Sequence, residues 1–291
     1  MTRLRYLGVV LLLSALCCRI VVAQQLDSAA KPTTLGIVAA SLAPAAVLGI
    51  AIGQNYYDFW RNSNKVPFYF SNDPPYALHA DKLGHAMYSY ICADVVKLCY
   101  SEAGVDRTTS AWLGFASSFL AQTMVEIGDG FHGNEPYYGF SPGDEFGDIM
   151  GASFSLAKEY VPYLKRFDYK IGVWPSQAYH EGAFRGLLDD DESQFFWLSM
   201  DIHDYIGGAY PAWLRPAIGY GVENLTSSAF LPSRQGLTPK SLVYLGVDLD
   251  LRQLPIEGDT WRIIAEILSH YRIPLPAVQV SPIVKWHWLK P

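Results

Sequence analysis

The sequence predicts a mainly α fold: an apolar helical bundle of four to five helices, followed by a smaller strand-rich C-terminal region (α+β). Three observations carry this reading. Between residues 35 and 158, apolar side chains recur at helical spacing over long, Pro-poor segments. From about residue 165 the segments shorten, become rich in β-branched and aromatic residues, and are parted by Gly, Pro and Ser turns. Half of the 291 residues are hydrophobic and only 17% are charged, against roughly 25% in an average soluble protein, so the chain buries a large core or touches lipid. The organisation that follows is a signal peptide at 1–23, a helical region at 24–165 and a strand-rich region at 166–291.

The N-terminus reads as a secretory signal. Arg3 and Arg5 form the basic region, "LGVVLLLSALCC" the apolar region, and "VVA" at 21–23 favours cleavage after Ala23. Lipid attachment at Cys17 or Cys18 is disfavoured, because Leu16 and Cys17 precede them where a small residue is wanted. Removing 1–23 leaves 19 basic against 28 acidic residues, a net charge of −9. With no dense basic patch, this argues against a nucleic-acid partner. Cys92 and Cys99 remain; seven residues apart on one helix, they stand about 10 Å from each other, too far for a disulfide. The expected location is exported, in the periplasm or a membrane of a Gram-negative-type envelope. "NLT" at 224–226 matches a glycosylation acceptor that matters only in a eukaryotic secretory route.

Residues 35–53 carry no charge over 19 positions, near the length needed to cross a bilayer. With Pro44 at the centre and many small residues, the stretch fits a membrane-inserted helix and a buried core helix equally. "NYYDFWR" follows it, a Tyr/Trp cluster suited to a membrane interface. Residues 67–80 hold three prolines and read as a loop. Asp81 to Glu102 is expected as a helix, with Leu83, Met87, Ile91, Val95 and Leu98 on one face. Gly104 ends it and Asp106 caps the next helix, Thr108 to Ile127, which is apolar nearly all round. A glycine-rich acidic loop leads to "SPGD", where Ser141 is the N-cap and Pro142 the first helical residue of a helix running to about Lys158. Beyond it, "FFWLSMDIHDYI", "LRPAIGYGVENL", "SLVYLGVDLDL" and "PAVQVSPIVKWHWL" read as strands, and "TWRIIAEILSHYR" as a short amphipathic helix. The aromatic, alternating strands resemble outer-membrane strands; a sheet packed on helices fits them as well.

Residues 126–148 gather six carboxylates and one His directly after an apolar run. Asp81 and His85 share a helix face at a spacing of four. Glu126 and Asp129 close one helix, and Asp144 and Asp148 open the next. Like charges at such spacing repel by roughly 0.2–0.5 kcal/mol. Acids at the ends of apolar helices therefore need a cation, a histidinium, backbone amides or a polar substrate to satisfy them. The candidate site is Asp81, His85, Glu126, Asp129 and Asp144, with Asp81, His85, Glu126 and Asp144 as ligands for a divalent metal. Bland readings stand beside this one: Asp144 as capping-box partner of Ser141, Asp81 as a first-turn acid, His85 as a satisfied core histidine, Glu126 and Asp129 as exposed helix-end acids. No Walker, HExxH or CxxC pattern occurs.

"DKLGHAMYSY", "EIGDGF" and "GFSPGD…GA" together resemble the YfiM-type predicted periplasmic lipoproteins, the domain of unknown function DUF2279. The family pattern D-K-x-x-H, E-x-x-D-G, G-F-S-x-x-D then N-x-x-G falls on Asp81, Lys82, His85, Glu126, Asp129, Gly130, Gly139, Phe140, Ser141 and Asp144. Asp148 stands where that pattern has Asn, which adds a negative charge and weighs against any role needing a neutral donor. The likeness runs on through "WPSQAYHEGAFRGLL" and "QFFWLSMDIHDY", over roughly 35–291. More distantly, the layout is similar to VanZ-like membrane proteins. The resemblance implies an envelope location and a shared polar site, and names no reaction.

Three functions fit. The first is a non-enzymatic, membrane-associated envelope protein whose polar cluster holds helices in register or binds an ion, with membrane lipid or another envelope component as partner. The second is a metal-assisted hydrolase or transferase acting on an envelope lipid or glycan, using hard O/N donors suited to Zn, Mn or Mg. The third is an outer-membrane assembly or transport accessory, motivated by the alternating strands; an open sheet with a charged outer face would exclude a barrel.

Overall fold

A computed structural model describes residues 33–71, 76–133, 139–183, 187, 190–207, 210–225 and 236–291. The signal peptide and its cleavage site, the middle of the acidic loop and Thr226 of the "NLT" motif lie outside the described residues. The chain divides into two compact units: Met1–Pro74 with His85–Pro162, and Pro75–Gly84 with Tyr163–Pro291.

The first unit is helical. Residues 35–53 form two helices, α1 (Thr34–Ala40) and α2 (Leu42–Asp58). Thr33 caps α1 by accepting the Gly36 N–H at 3.0 Å. The break at Ser41 follows from Pro44, which has no N–H to offer the carbonyl four residues back and so sits in the first turn of a new helix. Thr34–Asn62 is the one helical stretch, among the described residues, long and apolar enough to cross a membrane by length and composition. The two-residue strand β1 (Asn64–Lys65) then leads towards α3 (Ala80–Glu102) and α4 (Arg107–Gly130). Gly104, with φ +85°, ends α3, and Asp106 caps α4 through the Thr109 N–H at 2.9 Å. Strand β2 (His132–Gly133) pairs with β1, and α5 (Pro142–Tyr160) follows with Ser141 as its cap, accepting the Asp144 N–H at 3.1 Å.

Helices α3, α4 and α5 meet backbone to backbone. A Cβ at Gly114 would lie 2.4 Å from the Ala93 carbonyl oxygen, and one at Gly151 only 1.9 Å from that of Ala86. These two glycines are needed for the close approach, at the usual helix-interior cost of about 1 kcal/mol each. Between the helices, Ser118 and Ser89 are hydrogen-bonded at 2.8 Å, and Ser89 Oγ donates to the Asp148 carbonyl at 2.7 Å. The outward positions reverse this polarity. Beyond its first turn, α4 exposes Trp112, Ala116, Leu120 and Met124 at a spacing of four, and α5 exposes Phe146, Ile149 and Met150.

The second unit is a six-stranded antiparallel meander: β3 (Phe167–Val173), β4 (Gln194–Met200), β5 (Leu214–Glu223), β6 (Lys240–Leu249), β7 (Leu275–Ser281) and β8 (Lys285–Lys290). The short helices between them, numbered on from α5, are α6 (Gln177–His180) after β3, α7 (His203–Ile206) after β4 and α8 (Asp259–Leu268) before β7. A helical region followed by a strand region is therefore the observed order, with the sheet in the C-terminal half. Two details differ from the sequence reading. Strand β3 was not anticipated, and the "DIHDYI" end of the first expected strand is helical because Asp201 Oδ1 accepts the His203 N–H at 2.9 Å and starts α7.

One face of the sheet is buried. Phe195, Trp197, Ala217, Leu242, Tyr244 and Ala277 pack there as an apolar cluster. Charges lie beside them. Lys170 Nζ stands 2.7 Å from Asp248 Oδ2, both side chains buried, and Arg215 bridges Asp168 and Asp250. The guanidinium of Arg272 lies 3.6 Å over the Trp197 ring. The β3 edge is covered by the segment before β7: Ile171 N–H donates to the His270 carbonyl and Arg272 N–H to that of Ile171, both at 2.9 Å. Residues 75–84 are held to this unit by Tyr169, whose hydroxyl donates to the Leu83 carbonyl at 2.9 Å.

Candidate functional site

The site lies in the helical unit, where α3, α4 and α5 present polar groups to one another. His85 comes from the first part of α3, Glu126 from the last turns of α4, and Asp144 and Asp148 from the first turns of α5. His85 Nδ1 is 3.2 Å from Asp148 Oδ2 and 3.9 Å from Glu126 Oε1; its Nε2 is 3.9 Å from Asp144 Oδ1. Glu126 and Asp148 are buried, whereas His85 is partly open. His85, Glu126 and Asp148 each offer one ligand atom, all within 4.8 Å of one another.

Each carboxylate is held. Gln122 Nε2 donates to Asp148 Oδ1 at 3.1 Å, and the Ser141 N–H donates to Glu126 Oε2 at 3.0 Å. The second bond matters for the cap of α5. In a capping box the third helical residue would return a bond to the cap's own N–H; here Glu126 of another helix takes that N–H. Burial pushes the Glu126 carboxyl up to about 9; His85 opposes this shift, and the neighbouring carboxylates Asp144 and Asp129 add to it. Glu126 thus holds a proton at neutral pH unless a cation displaces it. Glu145, which accepts from Thr123 at 2.8 Å, is also raised by burial. Cys92 on α3 is a thiol pushed up to about 12 by burial, with Asp148 adding to it, and neither Cys92 nor Cys99 is in a disulfide.

The remaining expected residues are Asp129 and Asp81. Asp129 accepts the Trp60 indole N–H at 2.6 Å, at the end of α4. Asp81 stands in the first turn of α3, one turn before His85, in the segment that groups with the second unit; it accepts from Lys82 Nζ at 2.9 Å. Asp148, which the sequence reading left outside the candidate set, is the carboxylate nearest His85. Its signal was available: an acid four residues after Asp144, on a helix stripe otherwise made of Gly147, Gly151 and Ser155.

These features describe a two-part chain whose helical unit brings His85 together with buried carboxylates. The sequence comparison finds a partial likeness. Residues 69–159 match the model of DUF2279, described as a predicted periplasmic lipoprotein. The matched stretch holds all of α3, α4 and β2 and all but the last residue of α5, and with them His85, Glu126, Asp144 and Asp148. It stops short of the strand region, so the likeness read through to residue 291 is narrower than expected, and the VanZ-like likeness finds no support in it. The description places the chain outside the cytoplasm, in the cell envelope. No curated protein and no solved structure matches the chain.

Proposed function

We propose that this is a membrane-associated envelope protein whose helical unit binds one hard divalent cation between His85, Glu126 and Asp148. The observation that carries the reading is the convergence of an imidazole and two buried carboxylates from three helices, with ligand atoms within 4.8 Å. One nitrogen and two oxygens suit Zn, Mn or Mg according to geometry. A cation there offsets the desolvation of Glu126 and the repulsion among Glu126, Asp144 and Asp148. Asp144, 3.9 Å from His85 Nε2, stands at the rim. Asp81 and Asp129 are not among these ligands. The bound ion acts first as a clasp that fixes a four- to five-helix bundle in register. Membrane association is supported by the apolar stripes that α4 and α5 turn outward.

Elemental analysis of the purified chain tests the reading. One equivalent of divalent metal is expected in the wild type and less than a tenth of that in His85→Gln and Asp148→Asn. Equal, negligible metal in all three makes the cluster a purely structural hydrogen-bond network.

A catalytic reading has one observation in its favour. Glu126 keeps its proton to about pH 9 beside a partly open imidazole, the pairing that general acid–base hydrolysis of an envelope lipid or glycan uses. Release of product from such a substrate by the wild type, and none by Glu126→Gln, is the outcome that would install it.

A further inference from the structure

The sheet of the second unit is apolar on its exposed face as well as in its buried cluster. Directly opposed residues in antiparallel strands share a face, so the register traces one row across all six strands: Tyr169, Leu198, Ile218, Leu245, Val278 and Trp286. Every member is apolar or aromatic. Leu198 is 41% exposed, Ile218 49%, Leu245 52% and Trp286 50%. The mid-strand charges Asp168, Lys170, Arg215 and Asp248 are all buried. In water an antiparallel sheet shows polar residues outward and apolar residues inward. A face this apolar marks a binding surface.

Two further features select what covers it. The last 25 residues, 267–291, contain no Asp or Glu, and of their cations Lys285 is exposed, whereas Arg272 is buried over Trp197 and Lys290 packs over the Phe195 ring at 3.5 Å. This stretch forms the β7–β8 hairpin, where Trp286 and Trp288 stand exposed beside Lys285. Exposed Trp next to Lys, flanking an apolar face, is the pattern of a membrane–water interface, and the positive charge complements anionic headgroups. Covering of the β3 edge by residues 270–272 leaves fewer unpaired backbone groups, as a bilayer requires. A protein partner would explain the apolar row, but it gives no reason for the charges to be gathered on the opposite face.

We infer that the row from Leu198 to Trp286, with the β7–β8 hairpin, rests against an anionic phospholipid bilayer. This deepens the membrane association proposed above by naming a surface in the other unit, and it stands independently of the cation site.

The full chain is reconstituted with vesicles of phosphatidylethanolamine and phosphatidylglycerol, with or without brominated acyl chains, and its tryptophan emission is recorded. The brominated chains should quench the wild type more than Trp286→Phe, and Leu245→Trp should add emission that they quench at least twofold. Flotation in the same vesicles separates the two readings. A chain that floats while Trp286 and Leu245→Trp escape quenching keeps its membrane association through the helical unit, and the inference for the sheet is overturned. A chain that does not float, or one whose Leu245→Trp emission is shielded by self-association before lipid is added, overturns it as well. Circular dichroism of each variant confirms that an unquenched signal comes from folded protein.

Discussion

The Ser141 backbone N–H donates to Glu126 Oε2 at 3.0 Å, so the first turn of α5 is anchored by the last turns of α4. The bond couples the cap of one helix to the protonation of a residue on another. Ser141 also caps α5 through its own hydroxyl, at 3.1 Å from the Asp144 N–H. Ser141→Ala should therefore lower stability by about 1 kcal/mol, the usual worth of an N-cap. The variant keeps the backbone bond to Glu126, so denaturant melts should show a modest shift in midpoint and no loss of metal.

Glu126 sets a pH dependence. Its carboxyl is raised from 4.5 to about 9 in the fold, so between those values the folded chain holds a proton that the unfolded chain has lost. Stability contributed by the protonated form is complete below about pH 4.5 and is lost as pH rises towards about 9. The slope is up to about 1.4 kcal/mol per pH unit for one proton. Chelator-treated wild type should lose stability over this window and Glu126→Gln should not. Added divalent cation should flatten the wild-type curve, because the ion replaces the proton.

Gly151→Ala places a methyl 1.9 Å from the Ala86 carbonyl oxygen. The α3–α5 contact has no slack for it, so the helices must separate. A loss of about 1–3 kcal/mol is expected, as for other overpacked sites. Because His85 and Asp148 lie on the same two helices, metal content should fall with it. An alanine variant as stable as the wild type would show that the helices are not held this closely.

The pair Lys170–Asp248, 2.7 Å apart and buried on both sides, makes a contrast within the sheet. Removing one partner strands the other charge, so Lys170→Met should cost about 3–5 kcal/mol. Lys170→Met with Asp248→Leu removes both charges but also takes the counter-ion of buried Arg272, 3.8 Å from Asp248, so it should recover only part of that loss. Thermal melts of the two single variants and the double variant read the coupling directly.

These sites differ in how far the sequence announces them. The helices were legible because their apolar spacing, Gly104, Asp106 and Ser141 are local signals, and each acts in the fold as a local signal should. Strand β3 was not, because Asp168 and Lys170 read as surface residues, and only partners at 215, 248 and 252 make their burial tolerable. Of the candidate site, His85, Glu126 and Asp144 could be picked out as acids and a histidine at the ends of apolar helices. Asp148 carried a signal too, its place on a stripe of small residues, but its i,i+4 relation to Asp144 reads as repulsion until His85 and Gln122 are known to face it. Gly114 and Gly151, costly inside helices, were the traces in the sequence of which faces would touch.

The central claim, that His85, Glu126 and Asp148 jointly hold one cation, is tested most directly by electron spin-echo modulation of the chain loaded with one equivalent of Mn²⁺. Coupling to a single imidazole nitrogen is predicted in the wild type, and its disappearance in His85→Gln. Tightly bound Mn²⁺ without nitrogen coupling, or coupling unchanged in His85→Gln, would contradict it.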